Sequence, residues 1–569
     1  MVNYSQEIDN NPVNKVNHGI TTDLLLITFL WCLAAIIINP QGNFPLIDDW
    51  QFGKAVKYLL EEGEFRPMGV TTMTLISQVL WGSIFCVPFG FSFTALRVST
   101  LLLSLLGVFG FYLLIRRLGC PRWIVIIAAL MLAFNPIYFA LSYSFMTDVP
   151  FTVLSLFAVL FLVKVLQSDS DIYLLMGAVM AIVATLCRQV GLFIPLAFTI
   201  ALPIKHGFSF RILLRAGLPL IAAISSMIIL RKWLEANDAL PYLYNYLQAD
   251  LLMRLQNPQD TLLLSVLKTH EALLDLGLFL FPLVILIPPV SHSDKWRRGI
   301  SLGIFLLPAI GYMVRISNIG SGLGLGLMPI NGPVFFKGGI GPITLYDTFL
   351  LNLPHAPTLP RWFWALVTII SLVGAGLVFT FVVRSAMKVI DSVWKRSNNS
   401  RAIPAFFICV AVLYFMPLAV LSFSDRYLIP LIPLLAGLII WERNEAGARV
   451  PKYLPAIGVF VLGLFLVYSI VGTRDYMQLN RVRWDALRYL TEQENVKPSQ
   501  IDGGFEFNAW YLYRTEDRGK PRKRAWVDDD EYIVALGDIP GYEIFKRYPF
   551  YHWMSMQEIN VFILKRNQK

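Results

Sequence analysis

Charged residues are scarce in this chain. Of its 569 residues, 15% are Asp, Glu, Lys or Arg and 56% are hydrophobic, and apolar runs of bilayer-spanning length recur along about four fifths of it. This composition argues against a soluble multidomain protein. The net charge of +10 could suggest nucleic acid. The basic residues, however, fall in short clusters between apolar runs rather than along one face, so we predict no nucleic-acid partner.

Cysteine and metal-binding patterns are also sparse. Five cysteines lie in or beside apolar segments and none lies in the hydrophilic C-terminal stretch, so no disulfide framework is indicated. The six histidines form no HExxH or other ligand spacing. No cofactor is therefore indicated, and a divalent metal held by carboxylates is left open. The loop 319–342 is rich in Gly and Pro but has no P-loop ending, and we expect a mobile loop or lid.

The apolar runs predict 13 membrane-spanning helices of about 15 to 23 residues each. The first run is long for a signal-peptide core and lacks a basic leader and a small-x-small cleavage site, so we predict a retained helix. The predicted spans start near residues 22, 95, 122, 149, 172, 190, 216, 272, 299, 361, 402, 428 and 454.

Clusters of Lys and Arg predict the topology. They follow the second, sixth, eighth, tenth and twelfth runs, and cytoplasmic loops are enriched in these residues. All five clusters fall on one side, which places the N-terminus in the cytoplasm and the long loops 40–94, 231–271 and 315–360 outside. The weakest step is the pair of short runs around Arg188, because merging them would invert everything downstream.

We therefore predict a polytopic α-helical membrane protein with a transmembrane domain over residues 1–472 and a small extracytoplasmic C-terminal α/β domain over 473–569. The first outer loop, 40–94, contains two segments whose mixed periodicity suits helices lying in the interface. In the tail, RVRWDALRYLTEQ predicts a helix, and EYIVALG and INVFILKR predict strands.

Few acids lie near the membrane on the outer face, so their positions are informative. Asp48 and Asp49 directly follow the first run, and Asp148 lies between the third and fourth runs. Each could cap the helix that follows, although one cap does not need two adjacent acids. Alternatively, carboxylates from separated segments on one face could share a site in which one acts as a general base.

Two arginines on the same side are candidate partners. Arg188 lies within an otherwise apolar stretch, and Arg426 follows Asp425. An arginine at membrane depth normally requires an anionic partner. That partner could be structural, as a salt bridge to Asp148 or Asp425. It could also be functional, as a phosphate held by the guanidinium fork.

Five motifs in order connect these residues: NFPLIDDWQFGKAVKYLLEEGEFRP, FGFSFTALRVSTLLLSLLGVFGFYLLIRRLG, SFMTDVPF, TLCRQVGLF and SDRYLIPLIPLL. Their order and sidedness resemble the GT-C superfamily of lipid-phosphate-sugar glycosyltransferases. The chain is most similar to the branch of protein mannosyltransferases and bacterial lipid A aminoarabinose transferase, which is glycosyltransferase family 39-like. The resemblance is strongest over residues 40–200. Mannosyltransferases have Asp-Glu where this chain has Asp48 and Asp49, so the choice of acceptor does not transfer.

The resemblance implies an inverting glycosyltransferase that uses a polyprenyl-phosphate-sugar donor and a lipid, glycan or protein acceptor among membrane lipids. It implies that Asp48 or Asp49 is the base that deprotonates the acceptor and that Asp148 is the second acid of the site. It also implies that Arg188 and Arg426 contact the donor phosphate. The implied location is a bacterial cytoplasmic membrane with the active face outside, or the ER membrane in a eukaryote.

Two other functions stay open. A transporter or flippase of lipid-linked sugars often shows internal repeats and charged residues near the midplane, whereas no repeat is detected and the acids lie at loop ends. A non-catalytic membrane subunit whose outer domain binds a partner is the other alternative. Sugar transfer by the purified protein would separate the three.

Overall fold

The computed structural model describes residues 12–287, 295–318, 327–329, 332–395, 401–421, 423–446, 451, 453–514, 526–527 and 529–567. Most of these residues are helical. The helices are α1 (Pro12–Ile38), α2 (Asp49–Glu61), α3 (Ile76–Cys86), α4 (Phe93–Arg117), α5 (Arg122–Ala133), α6 (Pro136–Leu141), α7 (Asp148–Ser168), α8 (Asp171–Thr185), α9 (Phe193–His206), α10 (Phe210–Ala236), α11 (Tyr242–Gln256), α12 (Pro258–Val284), α13 (Lys295–Asn318), α14 (Arg361–Lys395), α15 (Ala402–Val420), α16 (Leu431–Ala446), α17 (Leu454–Arg488) and α18 (Phe505–Leu512).

The described strands form two small sheets. A short antiparallel hairpin pairs β1 (Phe335–Phe336) with β2 (Gly339–Ile340). The C-terminal sheet has the order β3-β4-β6-β5, in which β3 and β4 are parallel and the other pairs are antiparallel. The predicted strands are confirmed as β4 and β6. The strands of this sheet are β3 (Ile501–Asp502), β4 (Tyr532–Ala535), β5 (Tyr542–His552) and β6 (Gln557–Arg566).

The protein is an integral multi-pass membrane protein. Within the described residues, eight helices are long and apolar enough to cross a bilayer: Gly19–Ile38, Phe93–Arg117, Asp148–Ser168, Gln189–His206, Phe210–Ala236, Arg361–Trp394, Ala402–Val420 and Leu454–Gln493. All 13 predicted runs fall on helices, but α5, α8, α12, α13 and α16 are too short or too polar to meet the same standard. The count of 13 therefore stays a prediction.

The helix predicted at RVRWDALRYLTEQ is confirmed, as the end of a longer helix. Helix α17 runs unbroken from Leu454 to Arg488, so the last membrane helix extends directly into the tail. No Gly or Pro interrupts residues 473–488, and residues such as Tyr476, Trp484 and Leu487 keep burying apolar side chains at helical spacing. The proposed domain boundary at 472 lies inside this helix.

The two helical segments predicted in the first loop are confirmed as α2 and α3. Helix α2 buries Trp50, Phe52 and Val56, and its location at the membrane interface stays a prediction. Of the glycine-rich loop, residues 319–326, 330 and 331 lie outside the described part of the chain, and residues 335–340 form the β1-β2 hairpin.

The two short runs around Arg188 are separate helices, as predicted. Helix α8 ends at Thr185, and a 3₁₀ turn, Gln189–Leu192, leads into α9. This turn folds tightly against α8: a Cβ on Gly191 would lie only 2.6 Å from the backbone N of Thr185. Glycine is required there for the close approach. The break leaves Arg188 between two helix ends, where its side chain can face a site.

Candidate active site

The start of the first loop is fixed by a buried arginine of α4. Nη1 of Arg97 donates to the carbonyl oxygens of Pro40 (2.7 Å) and Gly42 (2.9 Å), and Nη2 donates to the carbonyl oxygen of Phe44 (3.1 Å). Nε of Arg97 donates to the carbonyl oxygen of Tyr143 at 2.6 Å. One guanidinium therefore ties the first loop to the turn that precedes α7.

Asp49 fastens the same two segments a few residues later. Its Oδ1 accepts the backbone N–H of Leu46 at 2.6 Å and its Oδ2 accepts that of Phe145 at 3.0 Å. The side chain is fully buried. Burial raises the pKa of Asp49 to about 7, although the two N–H donors and the charge of Arg97 favour the ionised form. Both carboxylate oxygens of Asp49 are thus occupied by main-chain contacts.

Asp48 faces a different environment. It occupies the N-cap position of α2, yet its side chain makes no capping hydrogen bond. Its Oδ2 instead accepts from Nη2 of Arg426 at 2.9 Å, and 30% of its side chain is exposed. Of the two adjacent acids, Asp48 is therefore the one that a substrate can reach.

Arg426 is held in place by a short 3₁₀ turn, Asp425–Leu428, between α15 and α16. Oδ2 of Asp425 accepts the backbone N–H groups of Val334 (3.1 Å) and Phe335 (2.7 Å), and Oδ1 accepts that of Arg426. Burial raises the pKa of Asp425 to about 6. Asp425 thus anchors the turn through main-chain contacts, and the guanidinium of Arg426 pairs with Asp48.

Asp148 and Arg188 form the second ion pair. Nη2 of Arg188 donates to Oδ1 of Asp148 at 3.0 Å, and its Nε donates to Oγ1 of Thr147 at 2.9 Å. Both charged side chains are buried. This is the salt bridge expected as the structural alternative, and it joins the start of α7 to the break before α9.

Tyr427 brings the two ion pairs into one site. The guanidinium carbons of Arg188 and Arg426 lie 5.1 Å and 5.3 Å from the centre of its ring. Burial lowers the pKa of Arg426, but the charge of Asp148, Tyr427 and the charge of Asp48 outweigh burial and raise that pKa above its ordinary value. The structure therefore gathers Asp48, Asp148 and both arginines around Tyr427.

Three polar atoms of this site lack a hydrogen-bond partner in the described part of the chain. They are Nε and Nη1 of Arg426 and Oδ2 of Asp148, and all three are buried. Buried donors and acceptors are nearly always paired in proteins. The Nε and Nη1 groups lie on different edges of the guanidinium, so each can donate one hydrogen bond to an anionic ligand beside Asp48.

A narrow apolar cleft is lined by residues that contact this site. Phe151 lines it and also lies under the guanidinium of Arg188, with 5.8 Å from the guanidinium carbon to the ring centre. Tyr414 lines it as well and donates its hydroxyl to the carbonyl oxygen of Tyr427 at 2.8 Å. The cleft runs between helices α7, α9, α15 and α16, so an apolar chain within it would begin next to the charged site.

No group of three or more His, Cys, Asp or Glu side chains is arranged to hold a metal ion within the described ranges. The possible divalent metal is therefore not assigned to any residue.

Several residues that build the site were missed in the sequence. Arg97 lies within an apolar run, as Arg188 does, so the same signal identifies it as a candidate. Tyr427 and the anchoring role of Asp425 depend on contacts with distant segments. Glu506, which contacts the first loop, lies 459 residues from its partner Ile47, and no local pattern marks it.

Comparison with known proteins supports the resemblance. Residues 80–234 match the family model described as dolichyl-phosphate-mannose-protein mannosyltransferase. The predicted resemblance to this branch of the GT-C superfamily is therefore confirmed. The matched segment contains Asp148 and Arg188 but not Asp48, Asp49 or Arg426. No curated protein sequence matches the chain.

Solved structures give weaker likenesses. ArnT from Cupriavidus metallidurans bound to undecaprenyl phosphate is 11% identical, with a TM-score of 0.46 over 95% of this chain and 97% of that chain. The S. cerevisiae protein O-mannosyltransferase Pmt1-Pmt2 complex bound to the sugar donor is 17% identical, with a TM-score of 0.30 over 40% of this chain and 34% of that chain. At these identities and TM-scores, neither structure assigns a function to this chain.

Proposed function

We propose that this protein is an inverting membrane glycosyltransferase that moves a sugar from a polyprenyl-phosphate donor to an acceptor on the extracytoplasmic side. Arg426 is the main support for this proposal. Its Nη2 holds Asp48, and its Nε and Nη1 are buried without hydrogen-bond partners among the described residues. A single side chain thus links a candidate base to a candidate phosphate site.

The donor phosphate would accept a hydrogen bond from Nε or Nη1 of Arg426, with the charge of Arg188 close by, since both guanidinium groups contact the ring of Tyr427. When the bond between sugar and phosphate breaks, the leaving phosphate gains negative charge. Fixed guanidinium groups stabilise that charge without reorganising, because they are already oriented in a site that excludes most water. The unpaired oxygen of Asp148 is available to a hydroxyl group of the bound sugar.

Asp48 would act as the general base. Its carboxylate takes the proton of the acceptor nucleophile, the nucleophile forms a new bond to the anomeric carbon, and the bond from that carbon to the phosphate oxygen breaks. The electron pair leaves with the polyprenyl phosphate, and displacement from the opposite face inverts the anomeric configuration. Asp49 would hold the loop that carries Asp48.

The apolar cleft between α7, α9, α15 and α16 would receive the first isoprene units of the donor. A lipid carrier delivers its phosphate at the edge of the bilayer, so an apolar channel must meet a cationic site there. Two residues that line the cleft also reach the charged site, which fits that requirement: Phe151 lies next to Arg188, and Tyr414 donates to the carbonyl oxygen of Tyr427. The acceptor would be a lipid, a glycan or a protein on the outer face of a bacterial cytoplasmic membrane, or the luminal face in a eukaryote.

The test is transfer of radiolabelled sugar from polyprenyl-phosphate donors by protein purified in detergent, with Asp48→Asn beside the parent. Asparagine keeps the size and one acceptor oxygen of aspartate but cannot take the proton. We expect Asp48→Asn to fold and to lose about 10²- to 10⁴-fold in rate. Transfer at the parental rate by an Asp48→Asn, Asp49→Asn double variant would overturn the catalytic assignment. Movement of intact donor across vesicles without transfer would favour a flippase.

A further inference from the structure

The residue before Asp48 has an unusual backbone conformation. Ile47 has φ of +55°, in the left-handed region that β-branched residues rarely adopt. Its backbone N–H donates to Oε1 of Glu506, in α18 of the C-terminal region, at 3.2 Å. A costly backbone conformation persists only when surrounding contacts enforce it, and here one of those contacts comes from a segment far away in the chain.

Glu506 is itself held rigidly. Its Oε2 accepts from Nη1 of Arg483 at 2.8 Å and from the hydroxyl of Thr344. Nε of Arg483 donates to the carbonyl oxygen of Gly503 at 2.9 Å. Glu506 and Arg483 are almost fully buried. The carboxylate thus meets three donors, from the first loop, from α17 and from the segment that follows the β1-β2 hairpin.

We propose that Glu506 is a positioning residue, which fixes the main chain at Ile47 so that Asp48 points toward Arg426 and the donor. This inference rests on the proposed function. Buried ion pairs often add little to stability relative to apolar residues of similar volume, so the expense of burying Glu506 and Arg483 is better explained by the geometry that they enforce.

The C-terminal region is then part of the active site rather than an attached binding module. Helix α18 supplies the contact to Ile47, and α17 supplies the cation that orients Glu506. Removing this contact should leave the donor-binding residues Arg188 and Arg426 in place while it releases Asp48. The expected effect is on turnover rather than on donor affinity.

Three variants of the full-length protein test this inference. Glu506→Gln keeps an oxygen for the N–H of Ile47. The double variant Glu506→Leu, Arg483→Met removes that oxygen without leaving an unpaired buried charge. The control is Asp347→Asn. Asp347 is also a buried carboxylate that links the same C-terminal sheet to the membrane part, through the N–H of Leu536 and through His355, each at 2.9 Å.

Two measurements are made on each variant: hydrogen exchange of the peptide that contains residues 44–52, and steady-state transfer with the donor varied. In the double variant we expect faster exchange of this peptide and a kcat lowered about 10²-fold with little change in the donor KM. Glu506→Gln should retain most of the protection and most of kcat, and Asp347→Asn should leave both near the parental values.

The two readouts separate this inference from the proposed function. Unchanged exchange in the double variant would overturn the inference, and so would faster exchange with parental kcat. An equal loss of kcat in Asp347→Asn would show a general structural effect and would also overturn it. Parent protein that transfers no sugar from any polyprenyl-phosphate donor would overturn the proposed function, while the exchange result would still show whether Glu506 holds the loop.

Discussion

At the scale of single residues, the two adjacent acids of the first loop have different surroundings. Asp49 is fully buried and accepts two main-chain N–H groups, whereas Asp48 is partly exposed and pairs with Arg426. A sequence pattern treats such neighbours as equivalent. The structure separates them because Asp48 is the N-cap residue of α2, whereas Asp49 is the first residue of the helix.

The burial of Asp49 predicts a pH dependence of stability. Its pKa is raised from 3.8 to about 7 in the folded protein, so between these values the folded state binds a proton that the unfolded chain does not. The free energy of unfolding therefore falls as the pH rises from about 4 to about 7, and Asp49 causes no further change above that range. Thermal unfolding in detergent should show the parent losing stability relative to Asp49→Asn between pH 5 and 7. A difference that does not vary with pH would contradict this assignment.

The two arginines should differ in their tolerance of lysine. Lysine keeps the charge but places all its donors on one nitrogen, so Arg426→Lys cannot contact Asp48 and the phosphate from separate nitrogens of a planar group. We expect Arg426→Lys to lower kcat/KM for the donor about 10²-fold, with normal expression. Arg188→Lys should have a smaller effect, because Nε and Nη2 of Arg188 already bind Thr147 and Asp148.

The control for these variants is Arg122→Lys. Arg122 also uses Nε and Nη2 on a carboxylate, that of Asp23, but at a distant helix end. The Arg122→Lys variant should transfer sugar at the parental rate. Parental rates in both Arg426→Lys and Arg188→Lys would remove the phosphate role, and loss of expression in Arg188→Lys would favour a purely structural salt bridge.

At the scale of elements, the helices could largely be predicted from the sequence because apolar runs of bilayer length are a strong signal. The 13 predicted runs coincide with helices, and the break at Arg188 was correctly placed. The sequence predicts the helix after residue 472 but not that it continues the last membrane span. A drop in hydropathy shows where a helix leaves the membrane, and it does not show where the helix ends. Between α15 and α16 the helix does break, because residues 425–428 form a 3₁₀ turn.

The site could be predicted only as far as its residue types and sidedness. The rarity of charge near the membrane singles out four residues, and the structure brings them together: Asp48, Asp148, Arg188 and Arg426. Their pairing could not be predicted, because Arg426 contacts Asp48 across 378 positions of the chain. Contacts at that separation depend on how the helices pack against one another. A local sequence pattern does not show which helices become neighbours.

At the scale of the whole molecule, ion pairs connect the helix ends opposite the site. Asp169, which follows α7, pairs with Lys205 near the end of α9 at 2.7 Å, and Asp171 at the start of α8 pairs with Arg215 of α10 at 2.7 Å. These four helix ends therefore share one side. Helices α8 and α9 must then run in opposite directions, although α8 alone is too short to meet the standard for a membrane span.

Further pairs on other helices follow the same alternation. Asp23, near the start of the apolar span Gly19–Ile38 of α1, pairs with Arg122 at the start of α5 at 2.6 Å. Lys388 near the end of α14 pairs with Glu442 near the end of α16 at 2.6 Å. Each contact is the one expected if α5, α8 and α16 cross the membrane as well. The alternation is consistent with crossings by these three helices in addition to the eight defined by length and hydropathy, and the count of 13 stays a prediction.

The number of crossings decides where the C-terminal region lies. An odd number with the N-terminus in the cytoplasm puts this region on the side of Asp48 and Arg426, which its contact from Glu506 to Ile47 also requires. Eight crossings would return it to the cytoplasm. A reporter fused after Lys569 should therefore be active in the outer compartment, and one fused after His206, at the end of α9, should be active in the cytoplasm. Cytoplasmic activity of the first fusion would mean that one crossing is miscounted, and α8, α5 and α16 would be the helices to re-examine.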